Sequence, residues 1–412
     1  MTDRLYYLDP YLREFDATVS RVDRRDDRLV VTLDRTAFYP TSGGQPFDTG
    51  RLGSMRVVDV VDEEDGSITH VIEPGTRNPE PGISNLELGA SIHGAVDWER
   101  RFDHMQQHTG QHVLSAAFDK LFGVRTVSFH LGGAVSTIDL AREMSEAEIA
   151  AAETEANRIV WEDRPVTIRF ADAEEAARLP LRKESVRGGT LRLIEVEGFD
   201  LSACGGTHVA RTGAIGLIAV ASWERFKGGQ RLEFLCGGRA LGGYRVVRDA
   251  MSASVRLLSV LPTELAGAIE RLQADARDQK RTIAGLQSEL ARYRADELAS
   301  NAEEITLKTG SGDTARRCRL VARALDSDAN GLKGLAAAIS AKPGFLVLLV
   351  STSMPALIVI ARSSDVDVSA QHLLAKLMME FGGRGGGRPE MAQGGGLSAT
   401  AEAIFQAVRA HL

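Results

Sequence analysis

The fold is organised around residues 101–118, which read Arg-Phe-Asp-His-Met-Gln-Gln-His-Thr-Gly-Gln-His-Val-Leu-Ser-Ala-Ala-Phe. His104, His108 and His112 recur every four residues, so at about 100° per residue they fall along one face of a helix. Two imidazoles one turn apart can hold one metal ion, although such pairs also occur as buried core histidines. The stretch therefore predicts a helix that presents metal ligands.

A second pair of zinc-type ligands lies far downstream. Residues 200–209 read Asp-Leu-Ser-Ala-Cys-Gly-Gly-Thr-His-Val, which places a thiol and an imidazole four residues apart. Zinc prefers nitrogen and sulfur ligands in a tetrahedral set, and such sites are often assembled from two local pairs. We therefore predict a Zn²⁺ site that is formed by His108, His112, Cys204 and His208.

The composition is that of an ordinary globular protein. The chain has 412 residues, 43% hydrophobic and 25% charged, which is enough for two or three domains. Its formal charge of −7 argues against binding nucleic acid through bulk basicity, so any RNA contact must come from local segments.

The three cysteines are widely spread, which favours a reducing cytoplasm over a disulfide framework. No secretory leader is visible, and Ser, Thr and Pro interrupt the most apolar stretch, so we expect buried strands there and no membrane span.

The pattern before and around the ligand pairs predicts two domains. Short β-prone runs indicate a small, mostly antiparallel, barrel-like domain over residues 1–92. Residues 93–242 predict an α/β domain that carries the zinc site, with an amphipathic helix started by a capping box at Ser145 and Glu148. Cys204 is expected in a loop after a strand, and His208 at the start of the next strand.

The remaining residues predict a helical arm and a third domain. Over residues 243–300, apolar positions spaced three and four apart indicate a long coiled-coil-type helix that starts at Pro262. Such a helix either folds against a neighbouring helix or pairs with a second chain. Residues 301–412 alternate strand and helix, as in an α/β domain, and include a glycine-rich loop. The exposed backbone N–H groups of that loop, together with Arg384 and Arg388, could bind phosphate or RNA.

One polar loop in the first domain has two interpretations. Gly43 and Gly44 permit positive φ and close approach to the backbone, and Gln45 offers both a donor and an acceptor. The same residues also suit an ordinary polar hairpin, which spacing alone favours.

Three motifs together resemble the editing domain of alanyl-tRNA synthetase and the free-standing alanyl-tRNA editing proteins of the AlaX group, in their long form. The motifs are Thr36-x-Phe-Tyr-Pro-x-x-Gly-Gly-Gln-Pro-x-Asp-x-Gly, His108-Thr-x-x-His112-Val-Leu and Cys204-Gly-Gly-Thr-His208-Val. The glycine-rich region resembles the C-terminal domain that these proteins share with DHH phosphoesterases, whose Asp-His-His motif this chain lacks. The chain begins at the editing region, so no aminoacylation half is expected.

The resemblance implies an α+β aminoacyl-tRNA hydrolase that acts in trans. It would deacylate tRNA for alanine mischarged with serine, with glycine as a second candidate, by zinc-dependent ester hydrolysis in the cytoplasm. Thr36 would recognise the serine hydroxyl, and Gln45 with the turn of Gly43 and Gly44 would lie beside the ester. The candidate tRNA contacts are Lys227, Arg231, Arg384 and Arg388, although Lys227 and Arg231 equally suit a basic hairpin tip that faces solvent.

Several alternatives stay open at this point. The protein could bind tRNA without catalysis around a structural zinc, or be a phosphoesterase related through its C-terminal domain. The zinc could have four protein ligands, or three with one position left for water. A homodimer through the helical arm or the C-terminal domain is a further expectation.

Overall fold

A computed structural model of the chain describes residues 1–25, 28–73, 87–182, 190–307 and 316–412. These residues form two compact units, Met1–Leu257 and Leu258–Leu412. Both units mix helices and strands, which confirms the α+β class. Among the described residues, no helix is both long enough and apolar enough to cross a membrane.

The first unit begins with a closed β-barrel, as the sequence predicts. Its six strands follow the order β2-β3-β7-β6-β5-β8, and side chains such as Val31, Leu33 and Val57 fill the interior. Two short strands, β1 and β4, pair with each other outside the barrel. The strands are β1 (Asp3–Arg4), β2 (Glu14–Arg25), β3 (Arg28–Leu33), β4 (Arg35–Thr36), β5 (Gly50–Leu52), β6 (Met55–Asp62), β7 (Ile68–Ile72) and β8 (Ser91–Val96).

The predicted metal-presenting helix follows the barrel as α1 (Trp98–Phe122). Val113, Leu114 and Phe118 are fully buried on it, and Gly123 ends it in the left-handed conformation, at φ 63°. Two sheets complete the unit, with strand orders β14-β15-β10-β9 and β11-β12-β13. The elements are β9 (Thr126–Leu131), β10 (Ser136–Leu140), α2 (Glu146–Trp161), β11 (Val166–Ala171), α3 (Ala173–Arg178), β12 (Leu191–Val196), β13 (Asp200–Ala203), β14 (Ile218–Phe226), β15 (Gly229–Cys236) and α4 (Gly237–Leu258).

Most of the local features that the sequence predicts for this unit are present in the structure. Ser145 and Glu148 form the predicted capping box at the start of α2. Cys204 directly follows β13, as expected, but the position predicted for His208 is wrong. His208 lies in an irregular loop, and the next strand starts only at Ile218. The loop is irregular because its backbone bends to bring Cys204 and His208 to the same point.

The second unit is a six-stranded sheet with helices on both faces. The strand order is β16-β17-β18-β19-β21-β20, and only β17 and β18 are parallel neighbours. The end of α5 and all of α6 pack on one face, and α7 with α8 pack on the other. The elements are α5 (Leu265–Ser300), β16 (Glu303–Leu307), β17 (Arg316–Leu325), α6 (Ala329–Ser340), β18 (Phe345–Ser351), β19 (Ala356–Arg362), α7 (Ala370–Phe381), β20 (Arg384–Gly387), β21 (Met391–Leu397) and α8 (Ala401–His411).

Residues 243–300 form two helices. The first of them, α4, ends before Ser259, whose φ is 53°, and a 3₁₀ turn at Pro262–Glu264 starts α5. The predicted start at Pro262 is therefore confirmed. The apolar seam of α5 is exposed: Leu272 is 57% exposed and Leu286 61%.

The glycine-rich run is a β-hairpin and not the loop that its composition predicts. Arg384–Gly387 pairs with Met391–Leu397, and the resulting ribbon forms one edge of the sheet. A Cβ added at Gly385 or Gly394 would overlap the side chain of Met378 from α7. Glycine is therefore present here for close packing against a helix as well as for turning.

A buried ion pair joins α1 to the barrel. Arg101 and Asp48 are both fully buried, with Nη2 of the arginine 2.5 Å from Oδ2 of the aspartate. The guanidinium also donates to the carbonyl oxygens of Pro10 and Ala37. The same carboxylate accepts a hydrogen bond from the backbone N–H of Tyr39 at 2.6 Å.

We expect Asp48→Ala to lower the free energy of unfolding by about 3–5 kcal/mol, because it leaves a buried guanidinium without its counter-charge. The matched control is Glu174→Ala, which removes one partner of the exposed pair between Glu174 and Arg178 and is expected to change stability little. Urea denaturation of both variants measures the difference. Equal midpoints for the two variants would contradict this role of the buried pair.

Candidate metal centre

The four predicted ligands converge in the first unit. His108 and His112 come from consecutive turns of α1, and Cys204 and His208 from the loop after β13. Their candidate ligand atoms all lie within 4.8 Å of one another. The Sγ atom of Cys204 is 3.4 Å from Nε2 of His108 and 3.3 Å from Nε2 of His208.

The hydrogen bonds around the imidazoles fix which nitrogen each one presents. Nδ1 of His108 donates to Oε1 of Gln45 at 2.8 Å, and Nδ1 of His112 donates to the Asp200 carboxylate at 3.0 Å. The Thr109 hydroxyl donates to a backbone carbonyl, so it accepts from Nδ1 of His208 at 3.2 Å. Each Nε2 therefore carries its lone pair toward the cluster, which is how ligating histidines are usually oriented.

The surroundings of the cluster favour the ligand form of Cys204 and His208. Burial alone would raise the pKa of the Cys204 thiol, but His108 and His208 hold it well below its usual range. Burial lowers the pKa of His208 to about 3, which leaves its imidazole neutral. Burial alone would lower the pKa of His112, but the Asp200 carboxylate and the Cys204 sulfur raise it. A thiolate beside a neutral imidazole is a pair of donors that suits Zn²⁺.

Asp200 anchors the far side of the cluster. Burial would raise the pKa of its carboxyl, but the hydrogen bond from His112 and the charge of Arg182 lower it below its usual range. Nε of Arg182 lies 2.5 Å from one carboxylate oxygen, and the Ser202 hydroxyl lies 3.1 Å from both. The carboxylate is therefore ionised and positioned to orient His112.

The Gly-Gly-Gln loop contacts the same cluster. It has features of both structures considered for it, the polar hairpin and the loop that offers the Gln45 amide as donor and acceptor. Ser42 bridges to Gln45 across a hairpin turn, with Gly43 at φ 54° and Gly44 at φ 86°. Gln45 is fully buried, and its amide bonds to both His108 and Thr207. The loop is thus a hairpin whose last residue supports a candidate ligand.

Gly206 packs directly against that support. A Cβ at this position would overlap the His108 imidazole and would lie 2.9 Å from Oε1 of Gln45. At the neighbouring Gly205, the nearest atom to an added Cβ is the Tyr7 hydroxyl at 3.5 Å. Only the second glycine of the pair is therefore sterically required.

A cavity of about 430 Å³ opens onto the cluster. Its lining includes the ligands His108, His112 and Cys204, and also Gly43 from the barrel loop. Strands β9, β11, β12 and β13 supply much of the wall, and Tyr7, Tyr39 and Gln111 also line it. Among the described residues that line it there is no Asp or Glu.

Thr36 lies away from this cavity wall. It is fully buried, and its hydroxyl is 2.8 Å from Nε2 of His70. Nδ1 of His70 donates to the Val31 carbonyl, so Nε2 accepts and the Thr36 hydroxyl donates to it. Burial lowers the pKa of His70 to about 4, which keeps the ring neutral. The Thr36 oxygen can therefore only accept further hydrogen bonds, as it does from the N–H of Phe38.

The four basic residues predicted to contact tRNA are spread over both units. Lys227 is exposed at the tip of the β14–β15 hairpin. Arg231 is paired with the Asp139 carboxylate at 2.7 and 2.9 Å and lies over the Phe226 ring. In the second unit, Arg384 and Arg388 are exposed on the glycine-rich hairpin.

Three further residues of the site did not stand out in the sequence. Asp200 lies four residues before Cys204, but an aspartate at a strand end is common and has no specific meaning there. Thr109 lies between the helix ligands and looks like a surface residue of a helix. Arg192 lies in an apolar strand, where its side chain donates to the carbonyl oxygens of Cys204 and Gly206 at 2.7 and 2.9 Å.

Comparisons with known proteins identify relatives over the whole chain. Residues 191–233 match a family model described as the threonyl and alanyl tRNA synthetase second additional domain, and residues 319–412 match a DHHA1 domain. The chain is 32% identical to the alanyl-tRNA editing protein AlaX-L of Pyrococcus horikoshii, and the alignment covers 100% of both proteins.

Longer proteins also match. The alanine–tRNA ligase of Pyrococcus abyssi is 33% identical over 95% of this chain but over only 42% of the ligase. The chain thus spans about two fifths of the length of that ligase. The solved C-Ala domain of Aquifex aeolicus alanyl-tRNA synthetase aligns with 26% of this chain and 94% of its own, at 21% identity and a TM-score of 0.22.

We expect Gly206→Ala to lower zinc affinity about 10- to 100-fold, because the added methyl group displaces His108 and the amide that orients it. Gly205→Ala is the matched control and should bind zinc as the wild type does. Competition with a chromophoric chelator measures both affinities. If the two variants retained zinc equally well, the packing role of Gly206 would be refuted.

Proposed function

The chain belongs to the family of alanyl-tRNA editing proteins, and we propose that it hydrolyses mischarged tRNA for alanine in trans, with zinc as its cofactor. The acyl group would be serine, with glycine as a second candidate. One observation carries the proposal. The imidazole pair of His108 and His112 converges with the thiol–imidazole pair of Cys204 and His208 at an open cavity.

The charged side chains that line the cavity favour an anionic substrate, such as an ester of tRNA. Arg182 and Arg192 line it, and no described Asp or Glu does. Arg182 is paired with the Asp200 carboxylate, so the positive charge that a phosphate backbone would meet here comes mainly from Arg192.

The residues present fit a bound Zn²⁺ ion that would be held by His108, His112, Cys204 and His208. When bound, such an ion supplies Lewis-acid polarisation of the ester carbonyl or a water of lowered pKa, depending on whether three or four protein ligands remain. The chain's own contribution is to orient these groups: Gln45, Thr109 and Asp200 hold the three imidazoles. Since no described carboxylate lines the cavity, we do not assign a general base to a side chain.

Two alternatives have specific discriminating outcomes. A non-catalytic tRNA-binding protein would keep its metal and bind tRNA without cleaving the ester. A phosphoesterase would cleave oligonucleotides, but the Asp-His-His motif of that class is absent from the sequence.

The exposed seam of α5 is consistent with pairing to a second copy of the chain, and a homodimer stays a prediction.

Deacylation of seryl-, glycyl- and alanyl-tRNA for alanine tests the proposal directly. The wild type should hydrolyse the seryl ester, while Cys204→Ala and His108→Ala should lose both zinc and activity. Metal content is determined on each protein, and Cys318→Ala, in the second unit, is the cysteine control. The proposal is refuted if the zinc-replete wild type leaves all three esters intact.

Thr36 does not line the cavity described above, so its role as the partner of the serine hydroxyl comes from the family resemblance alone. On that resemblance, Thr36→Val should relax the preference for seryl over alanyl ester about tenfold or more, because it removes this partner. Thr36→Ser keeps the hydroxyl and serves as the control. The measurement is the ratio of kcat/KM for the two esters, with zinc content confirmed to be unchanged. A ratio equal to that of the wild type would show that Thr36 does not discriminate.

A further inference from the structure

A row of three side chains crosses the small sheet that leads away from the metal cluster. Phe170 on β11 is the register partner of Arg192 on β12. The pairing of β12 with β13 continues to Cys204, whose N–H donates to the Arg192 carbonyl at 3.0 Å. Register partners on antiparallel strands project from the same face, about 5 Å apart. Phe170 therefore stands two strand spacings, roughly 10 Å, from the cluster thiol.

The aromatic ring of Phe170 lines the cavity but is not part of a hydrophobic core. It is 44% exposed and belongs to none of the buried clusters of the described residues. Val127, 67% exposed, lines the same cavity. An exposed ring beside a polar cavity offers a face on which a nucleobase can stack.

Arg192 lies between this ring and the cluster. It is 7% exposed, and its Nε and Nη1 atoms donate to backbone carbonyls of Tyr7, Cys204 and Gly206. Its Nη2 atom has no hydrogen-bond partner among the described residues, and no carboxylate among them forms an ion pair with it. Its charge is met by carbonyl dipoles, the Tyr7 ring and the nearby Cys204 sulfur, and by no described carboxylate. Since Nη2 is still unpaired, the middle of the row can receive an anion.

We propose that this row is the subsite for the 3′-terminal adenosine of the tRNA, with the adenine stacked on Phe170, the ester at the metal cluster and the ribose–phosphate link over Arg192. This inference rests on the proposed function, since it assumes an aminoacyl ester at the cluster. The order of groups along the row matches their order in a 3′-aminoacylated nucleotide. Phe170 is a binding residue here, so it acts on affinity and not on the ester bond.

Kinetics of seryl-tRNA deacylation test the stacking role. We expect Phe170→Ala to raise KM about tenfold, within the range of base–aromatic stacking, while kcat and zinc content stay within about twofold of the wild type. Phe170→Tyr should restore KM because it keeps the ring. Trp161→Ala, which removes an aromatic that is 70% exposed on α2, is the matched control and should leave KM unchanged. An unchanged KM in Phe170→Ala would overturn the proposal.

A binding experiment separates this proposal from the proposed function. Adenosine 5′-monophosphate is titrated into wild type and Phe170→Ala by calorimetry, with uridine 5′-monophosphate as the weaker-stacking comparison. The wild type should bind the adenine nucleotide more tightly, and the variant should lose that difference. Equal binding by the two proteins refutes the subsite even if the wild type deacylates tRNA. A difference in binding supports the subsite even if no ester is hydrolysed, in which case only the proposed function fails.

Discussion

The side-chain amide of Gln45 holds the candidate site together, because it is the group through which three distant segments meet. Its Oε1 atom accepts from Nδ1 of His108 at 2.8 Å and from the N–H of Thr207 at 3.1 Å, and its Nε2 atom donates to the Thr207 hydroxyl at 2.8 Å. The barrel loop, α1 and the cysteine loop are thereby fixed to one another in a fully buried contact. A buried amide that satisfies both of its ends in this way specifies one arrangement and penalises others.

The sequence predicted the parts of the molecule that depend on local pattern. The helix around residues 101–118, the barrel strands, the capping box at Ser145 and the helical start at Pro262 all follow from short-range signals. The structure contains each of them, the last as the 3₁₀ turn that leads into α5. The two ligand pairs were also predictable, since spacing and ligand type are visible in the sequence. Their convergence was an inference from zinc chemistry, and the geometry agrees with it.

The remainder depended on contacts between residues far apart in the chain. Asp200, Thr109 and Arg192 acquire their roles only when the cysteine loop meets α1, and none belongs to a residue pattern that implies such a role. The glycine-rich run was predicted as a loop because glycine density usually means turns, whereas here Gly385 and Gly394 make room for Met378. The position of Thr36 against His70 likewise could not be read from its motif, because their contact depends on the closed barrel.

The buried pair of Arg101 and Asp48 has a consequence for how the first unit opens. It ties α1 to the same barrel loop that carries Gln45, so separating helix from barrel would expose an unpaired guanidinium. The amide protons of both elements should therefore exchange with solvent as one cooperative unit, with no partially unfolded state in which the barrel persists alone. A cluster built on these elements would be lost in one step, together with the fold that surrounds it.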